Sequence, residues 1–339
     1  NNPTIAIDSN GNAYAVWSDA RNGNGDIYFS QRPAGGSWGA NVRINDDAGT
    51  SGQGRPAIAL GSHGDAYAIW MDSRDGSKEV YFATCPAGGD WGDNVKVNDH
   101  TAPHGQYYPA LAIDGDGNAY AVWEEVVDVP PNLHFDVYFA YRPAGGSWGA
   151  NTKLNSDESA TSPDIAADAN GAAYAVWREH RPGSYDVLFA HRPAGGSWEA
   201  SIRVNDDPGD AYQSYPAITV SPDGNAYAAW QDERKGNSDI YAAARPAGST
   251  WGENIQVNDD VTGLASQFVP AIAVDPGRNA YALWRDSRNG NSDIYFARRP
   301  AQGDWGTNLQ VNDDSGTAWQ DYPAIAVDAD GNAYAVWEL

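Results

Sequence analysis

One apolar hexad recurs along the chain. It first reads Asn12-Ala13-Tyr14-Ala15-Val16-Trp17 and returns in near-identical form ending at Trp70, Trp123, Trp177, Trp230, Trp284 and Trp337. Successive tryptophans lie 53, 53, 54, 53, 54 and 53 residues apart, and so even a period over the whole length predicts one structural unit copied and stacked. Within the hexad, Ala13, Ala15 and Trp17 fall on one face of a strand and Tyr14 and Val16 on the other. Neither face carries a charge, which predicts a strand buried on both sides.

Around this strand the first unit divides into four. Strand A is Thr4–Ile7, and the turn Asp8-Ser9-Asn10-Gly11 leads into strand B, Asn12–Trp17, with Gly supplying the positive φ of a tight hairpin. After the loop 18–25, strand C is Asp26–Ser30. The turn 33–39 precedes strand D, Asn41–Asn45, where Val42 and Ile44 alternate with Asn41 and Arg43 as on an outer edge. The loop 46–55 returns to Pro56 and the next strand A. Short strands in four-stranded units with no helical periodicity predict an all-β fold, a β-propeller, occupying residues 1–339 as a single domain. The A/B hairpin occurs seven times and the C/D hairpin six times. The reading is seven blades with an incomplete last blade. A six-bladed ring with a displaced extra hairpin is the alternative. The chain begins inside a repeat, at Asn1-Asn2-Pro3, and so reads as a mature or trimmed product.

Charge narrows the function classes. Lys and Arg total 21 against 45 Asp and Glu, a formal net charge of −24. A surface of that sign repels phosphate backbones and anionic lipid, which argues against nucleic-acid and membrane-surface partners. No run approaches 18 apolar residues, so no membrane-inserting helix is predicted. Cys85, the single cysteine, stands where other repeats carry Arg32, Arg142, Arg192, Arg245 and Arg299. It reads as a drifted repeat position, not a nucleophile.

The C–D turn carries a family resemblance. The run Phe29-Ser30-Gln31-Arg32-Pro33-Ala34-Gly35-Gly36-Ser37-Trp38 resembles the Asp-box of sialidase-like propellers, Ser-x-Asp-x-Gly-x-x-Trp, with Pro or Ala in place of the aspartate. The same degenerate form recurs at Trp91, Trp148, Trp198, Trp251 and Trp305. The stretch Trp284–Tyr295 is also similar to bacterial members of that superfamily. The resemblance implies the propeller fold. It further implies, for catalytic members, an arginine triad on a substrate carboxylate, a Tyr–Glu nucleophile pair and an Asp acid/base. The Arg-Ile-Pro motif of those members is missing, Arg55-Pro56 being the nearest fragment. Catalysis also needs unlike groups converging on one point, and these blades read as near copies.

Candidate binding residues follow from what repeats and what does not. B–C and D–A loops share one face of a propeller, the top face. The B–C loops repeat an acid followed two residues later by Arg21, Arg74, Arg181, Arg234 and Arg288. They form either a charged ring for a polar ligand or local ion pairs that fix each loop. Gln53, Gln106, Gln213, Gln267 and Gln320 each stand three residues before a Pro. They form either a ring of amides for a glycan or partners for backbone groups between blades. The A–B turns Asp114-Gly115-Asp116-Gly117 and Asp328-Ala329-Asp330-Gly331 offer too few oxygens for calcium and read as plain hairpin turns. His100 and His104 flank a Pro with no third ligand. No metal or cofactor is expected, calcium being the one candidate.

Broken symmetry points elsewhere. The third B–C loop, between Trp123 and Asp136, is four residues longer than its counterparts, loses the Arg and Gly, and gains apolar residues. The following D–A loop lacks the Gln. Val126, Val127, Asn132, His134 and Phe135, with Gln106, are therefore the expected ligand-binding residues, and Trp319, outside any repeat position, is a second candidate. The sequence reading is a non-catalytic, secreted or cell-surface binding or adhesion propeller, with a glycan or a surface protein as partner. The alternatives are a structural or assembly protein that self-associates through its incomplete last blade, and a sialidase-like glycoside hydrolase.

Overall fold

The computed structural model describes residues 1–100, 105–127, 133–156, 158–260, 263–313 and 318–339. Six four-stranded antiparallel sheets and one two-stranded sheet follow one another along the chain. Blade 1 is β1 (Thr4–Ile7), β2 (Ala13–Asp19), β3 (Asp26–Arg32) and β4 (Val42–Arg43); blade 2 is β5 (Gln53–Leu60), β6 (Ala66–Asp72), β7 (Glu79–Cys85) and β8 (Val95–Lys96). Blade 3 is β9 (Gln106–Ile113), β10 (Ala119–Val126), β11 (Phe135–Arg142) and β12 (Thr152–Lys153); blade 4 is β13 (Ala160–Ala167), β14 (Ala173–Arg181), β15 (Ser184–Arg192) and β16 (Ile202–Arg203). Blade 5 is β17 (Gln213–Val220), β18 (Ala226–Asp232), β19 (Asp239–Arg245) and β20 (Ile255–Gln256); blade 6 is β21 (Gln267–Val274), β22 (Ala280–Asp286), β23 (Asp293–Arg299) and β24 (Leu309–Gln310). Blade 7 holds only β25 (Asp321–Val327) and β26 (Ala333–Glu338). The two-stranded sheet is part of the ring, because β25 packs against β21 on one side and β1 on the other. The backbone N–H of Asn2 donates to Glu338 Oε2 at 3.1 Å across that closure.

The alternation in the hexad explains how blades stack. The Tyr and branched-aliphatic face of one blade meets the Ala and Trp face of the next. Tyr120, Val122 and Phe139 pack on Ala173, Ala175 and Trp177, and the same arrangement repeats across the neighbouring seams. Small residues leave the room that an indole fills. Trp70, Trp123, Trp177, Trp230 and Trp284 are fully buried. Four of these indoles place their N–H on the acid two residues on, as Trp70 does on Asp72 at 3.0 Å and Trp230 on Asp232 at 2.8 Å. Trp123 lacks that partner, since Glu125 turns to His100 Nδ1 at 2.7 Å.

The tryptophans of the Asp-box-like turns serve the same stacking. Trp91, Trp148, Trp198 and Trp251 each meet the edge of a phenylalanine of the preceding blade, with centroids 5.0–5.2 Å apart. Trp38 is 45% exposed, because blade 7 contributes no third strand to cover it.

Strand D is shorter than expected. Val42 and Arg43 pair with the neighbouring strand, the buried Ile44 still donates its N–H to Ile27 O at 2.9 Å, and the Asn45 side chain then takes over the hydrogen bonding. Asn45 Oδ1 accepts from the Ile27 N–H at 2.9 Å. Strand A is longer than expected and starts at the Gln, not at the Pro. In blade 2, Gly54 pairs with Met71 and Ala57 with Ile69, so Arg55 and Pro56 stand opposite the single Trp70. This bulge lets the strand run through a residue with no N–H to donate.

Candidate functional site

The bulge recurs in blades 3 to 7 and builds the mouth of the central channel. The residue before each Pro takes a positive φ of 46–54°: Asn2, Arg55, Tyr108, Ser162, Tyr215, Val269 and Tyr322. None of these is glycine, and seven such residues in one ring are a repeated backbone strain of the kind found at functional sites. Asn2, Arg55, Tyr108, Val269 and Tyr322 line a cavity of about 270 Å³ there, together with Asp164. A second ring joins it from the ends of the B strands, where each hexad Trp is followed by Ser18, Met71, Glu124, Arg178, Gln231, Arg285 or Glu338. These two rings are the places where the repeats stop being copies. Unlike groups converge on one point of the top face.

Glu124 lies behind the lining of that cavity, within electrostatic reach of Arg55 and Tyr108. It is 4% exposed, and Oε2 accepts the Ser162 N–H of blade 4 at 2.8 Å. Burial pushes its carboxyl up to about 6, against the pull of that N–H, Arg178 and Arg55. Desolvation therefore outweighs two cations and a hydrogen bond. Burial also raises Tyr108, with Arg55 opposing and Glu124 adding to the shift.

Arg55 lies across the mouth, its guanidinium 3.9 Å from the Tyr108 ring centre and 5.7 Å from that of Tyr322. Arg178 donates from Nε to Thr161 Oγ1 at 3.0 Å and covers the Tyr185 ring at 4.5 Å. Among the described residues neither Arg55 nor Arg178 has an ion pair within 4.0 Å. Arg285, by contrast, is held by Asp321 at 2.7 Å. Just inside the channel Asp164 replaces the Ala of the neighbouring blades. It accepts the Ile218 N–H at 2.8 Å, and burial pushes it up to about 6.

The residues singled out in the sequence lie elsewhere. Gln53, Gln106, Gln213, Gln267 and Gln320 are buried; Gln53 accepts from Asn45 of blade 1 at 3.0 Å and donates to Asp72 of its own blade at 3.2 Å, tying the two blades together. Arg74, Arg234 and Arg288 each grip the acid of their own loop at 2.8 Å and an acid of the preceding blade, as Arg234 does Asp206 at 2.7 Å. Among the described residues, Arg21 and Arg181 pair only with Asp19 and Glu179. In blade 3 the apolar loop residues extend the hairpin. Val126 ends β10, the Val127 N–H donates to His134 O at 2.9 Å, and Phe135 opens β11. His134 Nε2 lies 3.1 Å from Asp136. Asn132 and His104 fall outside the described residues. Trp319 is 70% exposed.

The Asp114 turn spends its carboxylate on its own loop, Oδ1 accepting from the N–H of Asp116 and of Asn118. No cluster of three His, Cys, Asp or Glu suited to a metal occurs among the described residues. Cys85 is buried, and burial raises its thiol. Sequence reasoning missed Glu124, Tyr108, Arg55 and Arg178. The signal was available as positions that vary between otherwise constant flanks.

No protein-family model matches the sequence, and no curated protein is similar to it in sequence. Solved structures do resemble it. A polysaccharide lyase of family PL25, an ulvan lyase bound to -[GlcA(1-4)Rha3S]-, matches with a TM-score of 0.65 at 12% identity, over 98% of this chain and 88% of that one. A puromycin hydrolase matches with a TM-score of 0.64 at 15% identity, over 99% of this chain and 52% of that one. An α-L-arabinanase of Penicillium chrysogenum complexed with arabinobiose matches with a TM-score of 0.50 at 13% identity, over 68% and 74%. At these identities the likeness establishes the β-propeller fold. The expectation of a non-catalytic binding or adhesion module is corrected. The similar structures include glycan-cleaving enzymes, and the blades are unlike where they meet.

Proposed function

We propose that this protein cleaves glycosidic bonds in an acidic glycan at the top mouth of its channel. The observation that carries the reading is Glu124, a buried carboxyl near 6 beside Tyr108, Arg55 and Arg178. A carboxyl at that value exchanges a proton readily near neutral pH. As carboxylate, Glu124 takes the phenolic proton while Tyr108 attacks the anomeric carbon and the glycosidic C–O bond breaks, its oxygen leaving with a proton from solvent; water then displaces the tyrosine oxygen from that carbon, Glu124 returns the phenolic proton, and the proton lost by the water goes to solvent. This is the Tyr–Glu pairing that the sialidase-like resemblance implies, carried here by residues of blade 3. Arg55 and Arg178, without carboxylate partners in a chain of net charge −24, are placed to hold the carboxylate or sulfate of the substrate. Action on a polymeric glycan accords with the extracellular or cell-surface location expected from the sequence.

A second reading is elimination, favoured by the lyase whose structure covers nearly all of this chain. Tyr108 or Glu124 would then remove the proton α to a uronate carboxylate, the arginines would stabilise the charge developing on it, and the C4–O glycosidic bond would break to leave a C4–C5 double bond, its oxygen leaving with a proton from solvent. Incubation with ulvan, polygalacturonate and arabinan tests both. Reducing ends without new ultraviolet absorbance mean hydrolysis, and reducing ends with the absorbance of an unsaturated uronate mean elimination. Tyr108→Phe is expected to lower kcat about 10²-fold or more. No reducing ends from any of the three polymers would count against the reading.

A further inference from the structure

The mouth has an aromatic annex at the seam of blades 4 and 5. Tyr185, at the start of β15, and Tyr212, just before β17, are joined by a backbone bridge. Their rings lie 5.5 Å apart at 33°. Tyr212 is 50% exposed, and its repeat position is Gly52, Gly105 or Ser266 in three other blades and Trp319 in the last. The position of Tyr185 is Gly25, Lys78, Ser238 or Ser292 in four others. Ring, cation and acid form a continuous path. Tyr212 meets Tyr185, Tyr185 lies under Arg178, and Arg178 acts on Glu124. The β14/β15 hairpin rises beside it, with His180 edge-on to Tyr185 at 5.2 Å. Tyr212 keeps half of its surface in water at this seam, backed by Tyr185, and an exposed aromatic face matches the C–H face of a sugar ring.

We propose that Tyr185 and Tyr212 form a stacking subsite for a sugar residue next to the one that reacts at Glu124, so that the protein takes oligomeric rather than single-residue glycans. The inference rests on the proposed function for its neighbour but not for its test, which reads binding alone. The full chain carrying Glu124→Gln is run through gels containing ulvan, polygalacturonate or arabinan. The retained polymer is then titrated calorimetrically as its single sugar and as its oligosaccharide of six residues. Tyr212→Ala on the same background is expected to weaken the six-residue ligand roughly tenfold and to leave the single sugar unchanged. Tyr212→Phe, which keeps the ring, is expected to restore the affinity. Equal loss at both lengths, no loss at either, failure of Phe to restore, or retention by none of the three polymers would overturn the subsite. The proposed function falls separately, if Glu124→Gln leaves turnover by the wild-type chain unmatched by any loss.

Discussion

Replacing Glu124 with Gln should stabilise the protein, and only above pH 4.5. The carboxyl has an ordinary value of 4.5 and stands at about 6 in the folded chain. The folded state therefore binds the proton more tightly than the unfolded state does. The stability contributed by that proton is complete below 4.5 and is lost as the pH rises through 6. The difference of about 1.5 units corresponds to about 2 kcal/mol. Gln resembles the protonated acid at every pH, and its amide oxygen can still accept the Ser162 N–H. The variant and the wild type should thus melt together at pH 4 and separate at pH 7.5. With an unfolding entropy of roughly 2.1 cal/mol/K per residue, 339 residues give about 0.7 kcal/mol/K. The shift at pH 7.5 should then be about 3 °C, upward. Thermal melts at the two pH values measure it. An equal shift at both, or a lower Tm at pH 7.5, would refute the claim that burial outweighs Arg55 and Arg178 at this site. A stabilising loss of a functional group is the expected sign of a site held under electrostatic cost.

Three further outcomes follow from the same geometry. With Glu124 acting as the proton acceptor, kcat/KM should rise as the pH passes through about 6, and the Glu124→Gln profile should be flat there; stopped assays across that range decide it. Arg234→Ala should cost about 2–3 kcal/mol in a denaturant melt, because it strands the fully buried Asp232 and unties Asp206 of the preceding blade, whereas Arg21→Ala, at an exposed pair within one loop, should leave the melt nearly unchanged. Trp284→Ala should cost about 3–5 kcal/mol, since the indole is wholly enclosed between blades 5 and 6 and its acid partner Asp286 would lose a donor.

The architecture was legible because stacking imposes the same demand on every blade. Ala, Tyr and Trp recur at fixed positions since each seam needs a small face against a large one, and that repetition is visible without coordinates. The strand ends were less legible. Pro56 suggested a loop, but the bulge at Arg55 carries the strand through it to Gln53. Asn45 suggested a strand residue, but its side chain replaces the backbone in the ladder.

The site was hidden by the same repetition that revealed the fold. Gln53 and Arg74 recur because they hold blades together, so recurrence marked structure. Glu124, Arg178 and Arg285 occupy one repeat position, as do Arg55, Tyr108 and Ser162, and their differences were the functional signal. The departures noted at the third B–C loop border the seam where Glu124 meets Ser162, yet the loop residues themselves extend a hairpin. Only the closing of the ring brings blades 2, 3, 4 and 7 to one mouth, and no local pattern in the sequence encodes that meeting.

The most direct test is the rate at which the wild-type chain and its Glu124→Gln variant release reducing ends from ulvan and polygalacturonate at pH 7. The account predicts measurable turnover of at least one polymer by the wild type and a loss of about 10²–10⁴-fold in the variant, with the fold intact by melting. Equal rates for the two chains, or no turnover of either polymer by the wild type, would contradict it.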